Sequence, residues 1–272
     1  MTAELIPTLA PDFGDLPSGV WAVQSTREGG VSTGPWHSLN LALHTGDDPE
    51  HVAENRYRLE HSLGIAEPVA WPRQVHGTRV IRAEDLLEAR EQDEVPEADA
   101  VFTDVPGVVC AVQTADCLPV VLATDDGEAV AVAHAGWRGL ADGVLEAAVE
   151  ALRITRPEAE IRAWMGAAIG PEAFEVGPEV RDTFLDHDVE AAPAFRPGPN
   201  GHFHADIYAL ARHRLERVDV VHVAGGGRCT YSEAGRFYSY RRDGETGRMG
   251  TLVWIGEPDD DRGMAEESSF PW

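Results

Sequence analysis

Residues 111–139 read AVQTADCLPVVLATDDGEAVAVAHAGWRG, and this stretch decides the fold. Its apolar runs are interrupted by the turn sequence DDG, a pattern that is typical of strands joined by a tight turn. Cys117 follows the apolar run that opens the stretch, and His134 ends the last one. Because thiolate and imidazole are both metal ligands and catalytic groups, we predict a catalytic corner where these strands end.

A third candidate ligand lies upstream, where His76 stands between a short apolar run and a glycine in WPRQVHGTRV. Two imidazoles and one thiolate would leave the fourth tetrahedral position of a zinc ion for water or substrate. The spacing of these residues is not that of a structural zinc motif. The alternatives are a buried cysteine that acts as a small apolar residue and histidines that only form hydrogen bonds. The two glycines of HAGWRG favour the metal interpretation, because they allow close backbone approach.

Polar residues elsewhere are candidates for binding substrate. A long Gly- and Ser-rich loop, residues 25–49, carries Arg27 and Asn40, and long ordered loops are commonly functional. Arg241 and Arg242 follow one another near the C-terminus, and guanidinium groups bind phosphate or carboxylate with two parallel hydrogen bonds. A solvated loop and a surface salt bridge are the alternatives for these residues.

The periodicity outside this stretch predicts an α+β protein, layered α/β/β/α with mixed sheets. Amphipathic helices are predicted over residues 49–64, 140–152 and 206–218, with further helices near residues 83–97 and 180–186. The segment AAPAFRPGPNG is predicted to be a linker, and His202 and His204 to mark the start of a helix. Residues 1–257 are predicted to form one domain, and residues 258–272 an acidic, disordered tail.

Composition restricts the partners. The chain has 272 residues and a formal net charge of −25, and its 22 basic residues are all Arg. Such a charge disfavours nucleic acid and anionic membranes as partners. Without an apolar run of membrane-spanning length or a secretory leader, we expect a soluble, cytoplasmic protein, with a monomer as the default. Three irregularly spaced cysteines argue against a disulfide framework.

Six ordered motifs carry a family resemblance: TREGGVSTGPWHSLNL, QVHGTRV, TADCLPV, HAGWRG, IGPEAFEV and RFYSYRRDGETGR. Together they resemble the multicopper polyphenol oxidoreductase, or laccase-domain, family, whose members are also described as purine nucleoside phosphorylases and peptidoglycan-editing factors. The resemblance implies a fold related to cytotoxic-necrotizing-factor-type cysteine hydrolases. It also implies a zinc site formed by His76, Cys117 and His134, the residues already selected from the pattern.

The resemblance further implies phosphorolysis of adenosine, inosine and S-methyl-5′-thioadenosine, together with adenosine deamination. Phosphorolysis requires an anion site, for which Arg27, Arg241 and the N-terminus of the helix at residue 140 are candidates, whereas Asn40 is the candidate for the sugar or base. Deamination requires an activated water to attack C6 of adenine and a general acid or base, for which Asp116 and Glu175 are candidates. The usual deaminase signature is absent.

Three other functions stay open at this point. The same residues suit a hydrolase that cleaves amide bonds in peptidoglycan editing with metal-activated water or the Cys117 thiolate. A binding protein with a structural metal would instead need a fourth protein ligand. Copper polyphenol oxidation fits less well, because four coppers require about ten histidines with several H-x-H pairs. The chain has 11 histidines but a single H-x-H, so Cu²⁺ is expected only as an alternative metal at the three-ligand site.

Overall fold

The structure is a computed structural model that describes residues 5–12, 14–66, 68–92 and 94–256. Within these ranges the strands are β1 (Thr8–Leu9), β2 (Val20–Ser25), β3 (Val69–Ala70), β4 (Val80–Arg82), β5 (Ala100–Thr103), β6 (Val109–Thr114), β7 (Leu118–Thr124), β8 (Val130–Ala135), β9 (Ile161–Met165), β10 (Glu175–Val176), β11 (Phe195–Pro197), β12 (Phe203–Ala205), β13 (His222–Gly225) and β14 (Met249–Ile255). The helices are α1 (Pro49–Ser62), α2 (Ala83–Glu91), α3 (Trp137–Asp142), α4 (Val144–Thr155), α5 (Pro178–His187), α6 (Ile207–Glu216) and α7 (Tyr240–Asp243).

The hairpin predicted from the opening stretch is present as β7 and β8. These antiparallel strands pair Leu118 with Ala135 and Pro119 with His134. They lie at the centre of a mixed six-stranded sheet with the order β13-β9-β7-β8-β5-β4. The register brings the beginning of β7 next to the end of β8, so Cys117 and His134 meet at one edge of this sheet.

A second sheet receives the strand that precedes Cys117. Strand β6 belongs to a mixed five-stranded sheet with the order β1-β2-β14-β6-β3. The chain therefore crosses from one sheet to the other through residues 115–117, between the end of β6 and the beginning of β7. Cys117 lies at this crossing.

The two sheets pack face to face, and each has helices on its outer face. Val121 and Ala123 of β7 lie in the core between the sheets, whereas Val120 and Leu122 face the layer that contains α4 and α6. On the far side, Leu59 of α1 packs against the outer face of the five-stranded sheet. This alternation follows from the two-residue period of a strand, and it explains why β6, β7 and β8 are buried over their whole length. The predicted α+β class with mixed sheets is confirmed, whereas the likeness to cytotoxic-necrotizing-factor-type hydrolases stays a prediction.

The helix predicted over residues 140–152 is two helices in the structure. α3 ends at Asp142 and α4 begins at Val144, with Gly143 between them at a φ of 102°. Glycine is the residue that takes this left-handed conformation without steric cost, so the chain changes direction here. The apolar stripe that suggested one helix is carried mostly by α4.

The predicted linker AAPAFRPGPNG contains a strand. Phe195–Pro197 (β11) pairs with β12 in a small antiparallel sheet of order β10-β12-β11. The prediction that His202 and His204 mark a helix start is also wrong. His204 lies on β12, and His202 Nδ1 contacts Glu175 Oε1 at 2.6 Å. β12 also pairs with β10, which lies well before it in the chain, and local periodicity does not contain such a pairing.

The longest helix in the described ranges, α1, has 14 residues. No helix of that part of the chain combines the length and apolar character of a bilayer span. The acidic tail predicted at residues 258–272 lies outside the described residues.

Candidate metal centre

The three predicted ligands lie together at the sheet edge. One ligand atom from each of His76, Cys117 and His134 lies within 4.8 Å of the others. Cys117 Sγ is 3.8 Å from His76 Nε2, and the two imidazole rings meet edge to face with centroids 4.7 Å apart. His134 is buried, Cys117 is partly exposed and His76 is exposed, so the group opens to solvent on the His76 side.

The backbone on either side of the group adopts uncommon conformations. His76 has a φ of 62° and Asp116 a φ of 90°, values that residues with a Cβ seldom take. Such conformations persist only where the surrounding structure holds them, and they cluster at functional sites. At Asp116 this is visible: its carboxylate accepts hydrogen bonds from Thr230 Oγ1 and from the backbone N–H of Arg241, both at 2.6 Å.

A buried carboxylate that the sequence reasoning missed positions two of the ligands. Asp99, just before β5, accepts a hydrogen bond from His134 Nδ1 at 2.8 Å. It also accepts from the backbone N–H groups of Val75, His76 and Gly77, at 3.2, 2.9 and 2.7 Å. Because Nδ1 of His134 donates to Asp99, Nε2 is left as the ligand atom. The only signal in the sequence was an aspartate before a strand, which does not reveal its distant partners.

The charges of the group shift the pKa values of its members. Burial raises the pKa of Cys117, but the charge of His134 and hydrogen bonds from His134 and His76 outweigh it and lower that pKa to about 6. Burial lowers the pKa of His134, but the Cys117 thiolate and Asp99 raise it to about 9. Burial also raises the pKa of Asp99, and the hydrogen bonds it accepts hold that pKa below its ordinary value. The metal-free group therefore favours a thiolate beside an imidazolium near neutral pH.

We predict that Cys117 of the metal-stripped protein is alkylated by iodoacetamide with a midpoint near pH 6, because its pKa is lowered to about 6 from an ordinary 9. The measurement uses a Cys229→Ser background, since Cys229 also has a lowered pKa, whereas burial raises that of Cys110. His134→Gln should move the midpoint upward, because it removes the main opposing charge. A midpoint above pH 8 in the unsubstituted site would contradict the thiolate assignment.

The glycines of HAGWRG allow the close approach that the sequence indicated. A Cβ on Gly136 would lie 2.8 Å from His76 Cδ2 and 3.0 Å from Cys117 Sγ. A Cβ on Gly139 would lie 2.7 Å from the carbonyl oxygen of Gly77. The shortest distance at each position, 2.8 Å and 2.7 Å, is too short for a contact of a Cβ atom. Only glycine therefore fits at these positions while the ligands keep their places.

We predict that Gly136→Ala weakens metal binding by about tenfold or more, because the new methyl group displaces His76 or Cys117. The measurement is a competition titration of zinc against a chelator. Gly235→Ala is the matched control, since its Cβ would meet nothing within 4 Å. Equal zinc affinity in the Gly136 variant and in the wild type would show that the ligands tolerate the displacement.

Two of the predicted substrate residues are already engaged in contacts that hold their loop in place. Arg27 donates from Nε and both terminal nitrogens to the carbonyl oxygens of His37 and Ala234, and it stacks 4.7 Å from the ring centroid of Tyr238. The Asn40 amide is fully buried, and its Nδ2 lies within hydrogen-bonding distance of Ala42, Thr45 and Asp47. Both side chains shape the loop, and their roles in substrate binding stay predictions.

The remaining candidates lie farther along the chain. The Arg241 side chain donates to the carbonyl oxygen of Glu175 at 2.8 Å, while its backbone contacts Asp116. The Glu175 carboxylate, in turn, contacts His202. Arg242 donates to Asp243 and to three carbonyl oxygens, which fixes it as a structural residue. The predicted anion position at a helix N-terminus falls on α3, whose six residues give a weak dipole.

The donor set fits a borderline-soft divalent ion. Two imidazole nitrogens and one thiolate are ligands that zinc and copper both accept, and a carboxylate behind one histidine is the usual outer partner of such a site. Among the described residues the group contains three ligands, the number found in catalytic zinc sites.

The model of the family described as multi-copper polyphenol oxidoreductase laccase matches residues 21–256. The chain belongs to this family. The resemblance inferred from the six motifs is thus confirmed, and the matched range includes the whole six-stranded sheet and all three residues of the candidate centre.

Relatives in this laccase family carry another activity in their names. A purine nucleoside phosphorylase of Pseudomonas aeruginosa is 50% identical over 248 residues, covering 91% of this chain and 98% of the relative. The purine nucleoside phosphorylase YfiH of Escherichia coli is 49% identical over 239 residues, covering 88% and 95%. This chain is therefore a member of an enzyme family whose similar relatives are named purine nucleoside phosphorylases.

Solved structures of the family show the same fold. A Neisseria meningitidis protein is 46% identical with a TM-score of 0.84, covering 92% of this chain and 99% of its own. YlmD from Geobacillus stearothermophilus is 31% identical with a TM-score of 0.82, covering 93% and 98%. The arrangement of mixed sheets described above is thus the family arrangement.

Proposed function

We propose that the protein is a zinc-dependent purine nucleoside phosphorylase that acts on adenosine, inosine and S-methyl-5′-thioadenosine and also deaminates adenosine. The observation that carries the proposal is the His76–Cys117–His134 group, open on one side, in a chain that aligns over nearly its whole length with relatives named for this activity. Zinc is the proposed metal and Cu²⁺ the alternative occupant. Because the thiols must stay reduced, we place the activity in the cytoplasm.

In this proposal the three ligands hold the ion and Asp99 keeps them in place. The ion would supply a Lewis acid and lower the pKa of water, which serves deamination. Asp99 fixes the tautomer of His134 and the backbone of the His76 turn, so the site is organised before substrate arrives. The exposed side chains of Val75 and Tyr240 would offer apolar surface to a purine base.

The chemistry of phosphorolysis is balanced by substrate and phosphate alone. An oxygen of hydrogen phosphate forms a bond to C1′ of the ribose while the bond from C1′ to N9 breaks. The electron pair of that bond leaves with the purine, which takes up the proton of hydrogen phosphate. The protein must therefore bind two partners, an uncharged nucleoside and an anion, and orient them for this exchange.

The test is turnover of inosine and adenosine by zinc-loaded protein with and without phosphate. Release of hypoxanthine together with ribose 1-phosphate, dependent on phosphate, is the expected result. Formation of inosine from adenosine without phosphate is the expected sign of deamination. Stoichiometric zinc without turnover of either nucleoside would refute the proposal.

One observation favours a second function. Cys117, His134 and Asp99 have the order of a nucleophile, a base and an orienting carboxylate, which is the arrangement used for acyl transfer. An amidase that edits peptidoglycan is therefore the alternative. Chelation separates the two, because a thiolate amidase keeps its activity on muropeptide amides without metal, whereas the phosphorylase loses its activity.

A further inference from the structure

Arg248 lies at the same sheet edge as the candidate metal centre. It precedes β14, whose first residue, Met249, pairs with Thr114 at the end of β6. Continuing this register by one residue places Arg248 opposite Ala115, the first residue of the crossing (residues 115–117) that ends at Cys117. The backbone N–H of Arg248 donates to Asn40 Oδ1 at 2.9 Å, which fixes it between the long loop and the crossing.

The guanidinium group of Arg248 is held at one end. Its first terminal nitrogen donates to the carbonyl oxygens of Thr246 and Gly247 at 2.9 and 3.0 Å. Across the described residues it makes no salt bridge, and its Nε and second terminal nitrogen have no hydrogen-bond partner. A partly buried cation with free donors is a preformed site for an anion, since arginine presents its donors as a planar fork.

Arg27 and Arg242 differ from Arg248 because their donors are taken, and Arg241 differs because it is exposed. All three nitrogens of Arg27 donate to carbonyl oxygens, and Arg242 is paired with Asp243. Arg241 is exposed and directed to the backbone of Glu175. Arg248 is thus the arginine that combines burial, free donors and proximity to Cys117.

The charges around Arg248 agree with this assignment. Burial lowers its pKa, and the negative charges of Cys117 and Asp116 oppose that shift. The Asp116 carboxylate is already engaged by Thr230 and by the backbone of Arg241. Partial burial and the positive charge of Arg248 lower the pKa of His44.

We propose that Arg248 binds the inorganic phosphate that attacks the nucleoside. The inference rests on the proposed phosphorylase function and assigns its anion site to a residue other than Arg27 and Arg241. Two guanidinium N–H groups hold two phosphate oxygens, which leaves a third oxygen for C1′. The centroid of the Tyr240 ring lies 5.7 Å from the guanidinium carbon, beside the proposed phosphate position.

The test compares the KM for phosphate and the KM for inosine in the zinc-loaded wild type, Arg248→Gln and Arg248→Lys. We expect Arg248→Gln to raise the KM for phosphate by about tenfold to 100-fold, with the KM for inosine changed less than about threefold. Arg248→Lys keeps the positive charge but loses the planar fork of donors, so its KM for phosphate should lie between those of the wild type and Arg248→Gln. Arg56→Gln is the control, because Arg56 is a second buried arginine, which donates to the carbonyl oxygen of Leu41.

Three kinetic outcomes would overturn the inference. An unchanged KM for phosphate would exclude Arg248 from the phosphate site, and a rise only in the KM for inosine would assign Arg248 to the nucleoside. Equal losses of activity in Arg248→Gln and Arg56→Gln would show a structural role.

Calorimetric titration of inorganic phosphate without nucleoside separates the proposed phosphorylase function from the proposed anion site. If the wild type binds phosphate, Arg248→Gln does not, and no phosphorolysis occurs, the phosphorylase function is refuted and the anion site is kept. If the wild type does not bind phosphate, the anion site is refuted.

Discussion

Replacement of Cys117 by alanine is expected to lower phosphate-dependent base release by about 1,000-fold or more and to reduce bound zinc below one equivalent. Cys117 supplies the only thiolate of the group, and its charge is what holds a divalent ion between two otherwise neutral imidazoles. The measurements are hypoxanthine release from inosine and metal content by mass spectrometry on the same preparation.

Controls for this variant are available within the chain. Cys110→Ala removes a thiol that is buried between the sheets, and Cys229→Ser removes a partly exposed one that accepts a hydrogen bond from Gly170. Neither belongs to the three-ligand group, so both should retain zinc. Full base release by Cys117→Ala would exclude the metal centre from the reaction. Lost base release with zinc retained would instead favour a thiolate nucleophile.

Asp99→Asn is expected to weaken zinc binding and base release by about 10-fold to 100-fold, the usual effect of losing an outer carboxylate. The side chain is fully buried, with four N–H donors directed at its two oxygens. An amide has only one oxygen, so its NH₂ group must face two of these donors in either orientation. We therefore also expect the free energy of unfolding to fall by about 2 to 4 kcal/mol.

The matched control is Asp126→Asn, the same chemical change in the turn between β7 and β8. Asp126 accepts hydrogen bonds from Thr124, Glu128 and Arg156 near the surface and away from the candidate ligands, so its replacement should leave zinc binding intact. Urea unfolding and chelator competition provide the two readouts. An Asp99→Asn protein with wild-type zinc affinity would show that the ligands hold their orientation without the carboxylate.

The sequence by itself determined the hairpin of β7 and β8, most helices and the three candidate ligands, whose role at a metal stays a prediction. These features are local: a strand has a period of two, a helix a period of 3.6, and turn residues such as DDG mark where one run ends. Cys117 and His134 were predictable neighbours because a tight hairpin brings its two ends together. The six motifs then identified the family, and its model confirmed it.

Tertiary structure alone decided how the ligands are held and which arginines are free. Asp99 contacts residues 22 to 35 positions away, and Arg248 reaches the centre only because β14 pairs with β6. The assignment of β6 and β7 to different sheets, and the contacts of Arg27 with Ala234 and Tyr238, depend equally on distant partners. A residue's type tells which bonds it can form, but burial and the position of partners determine which of them it does form, and neither is contained in a local pattern.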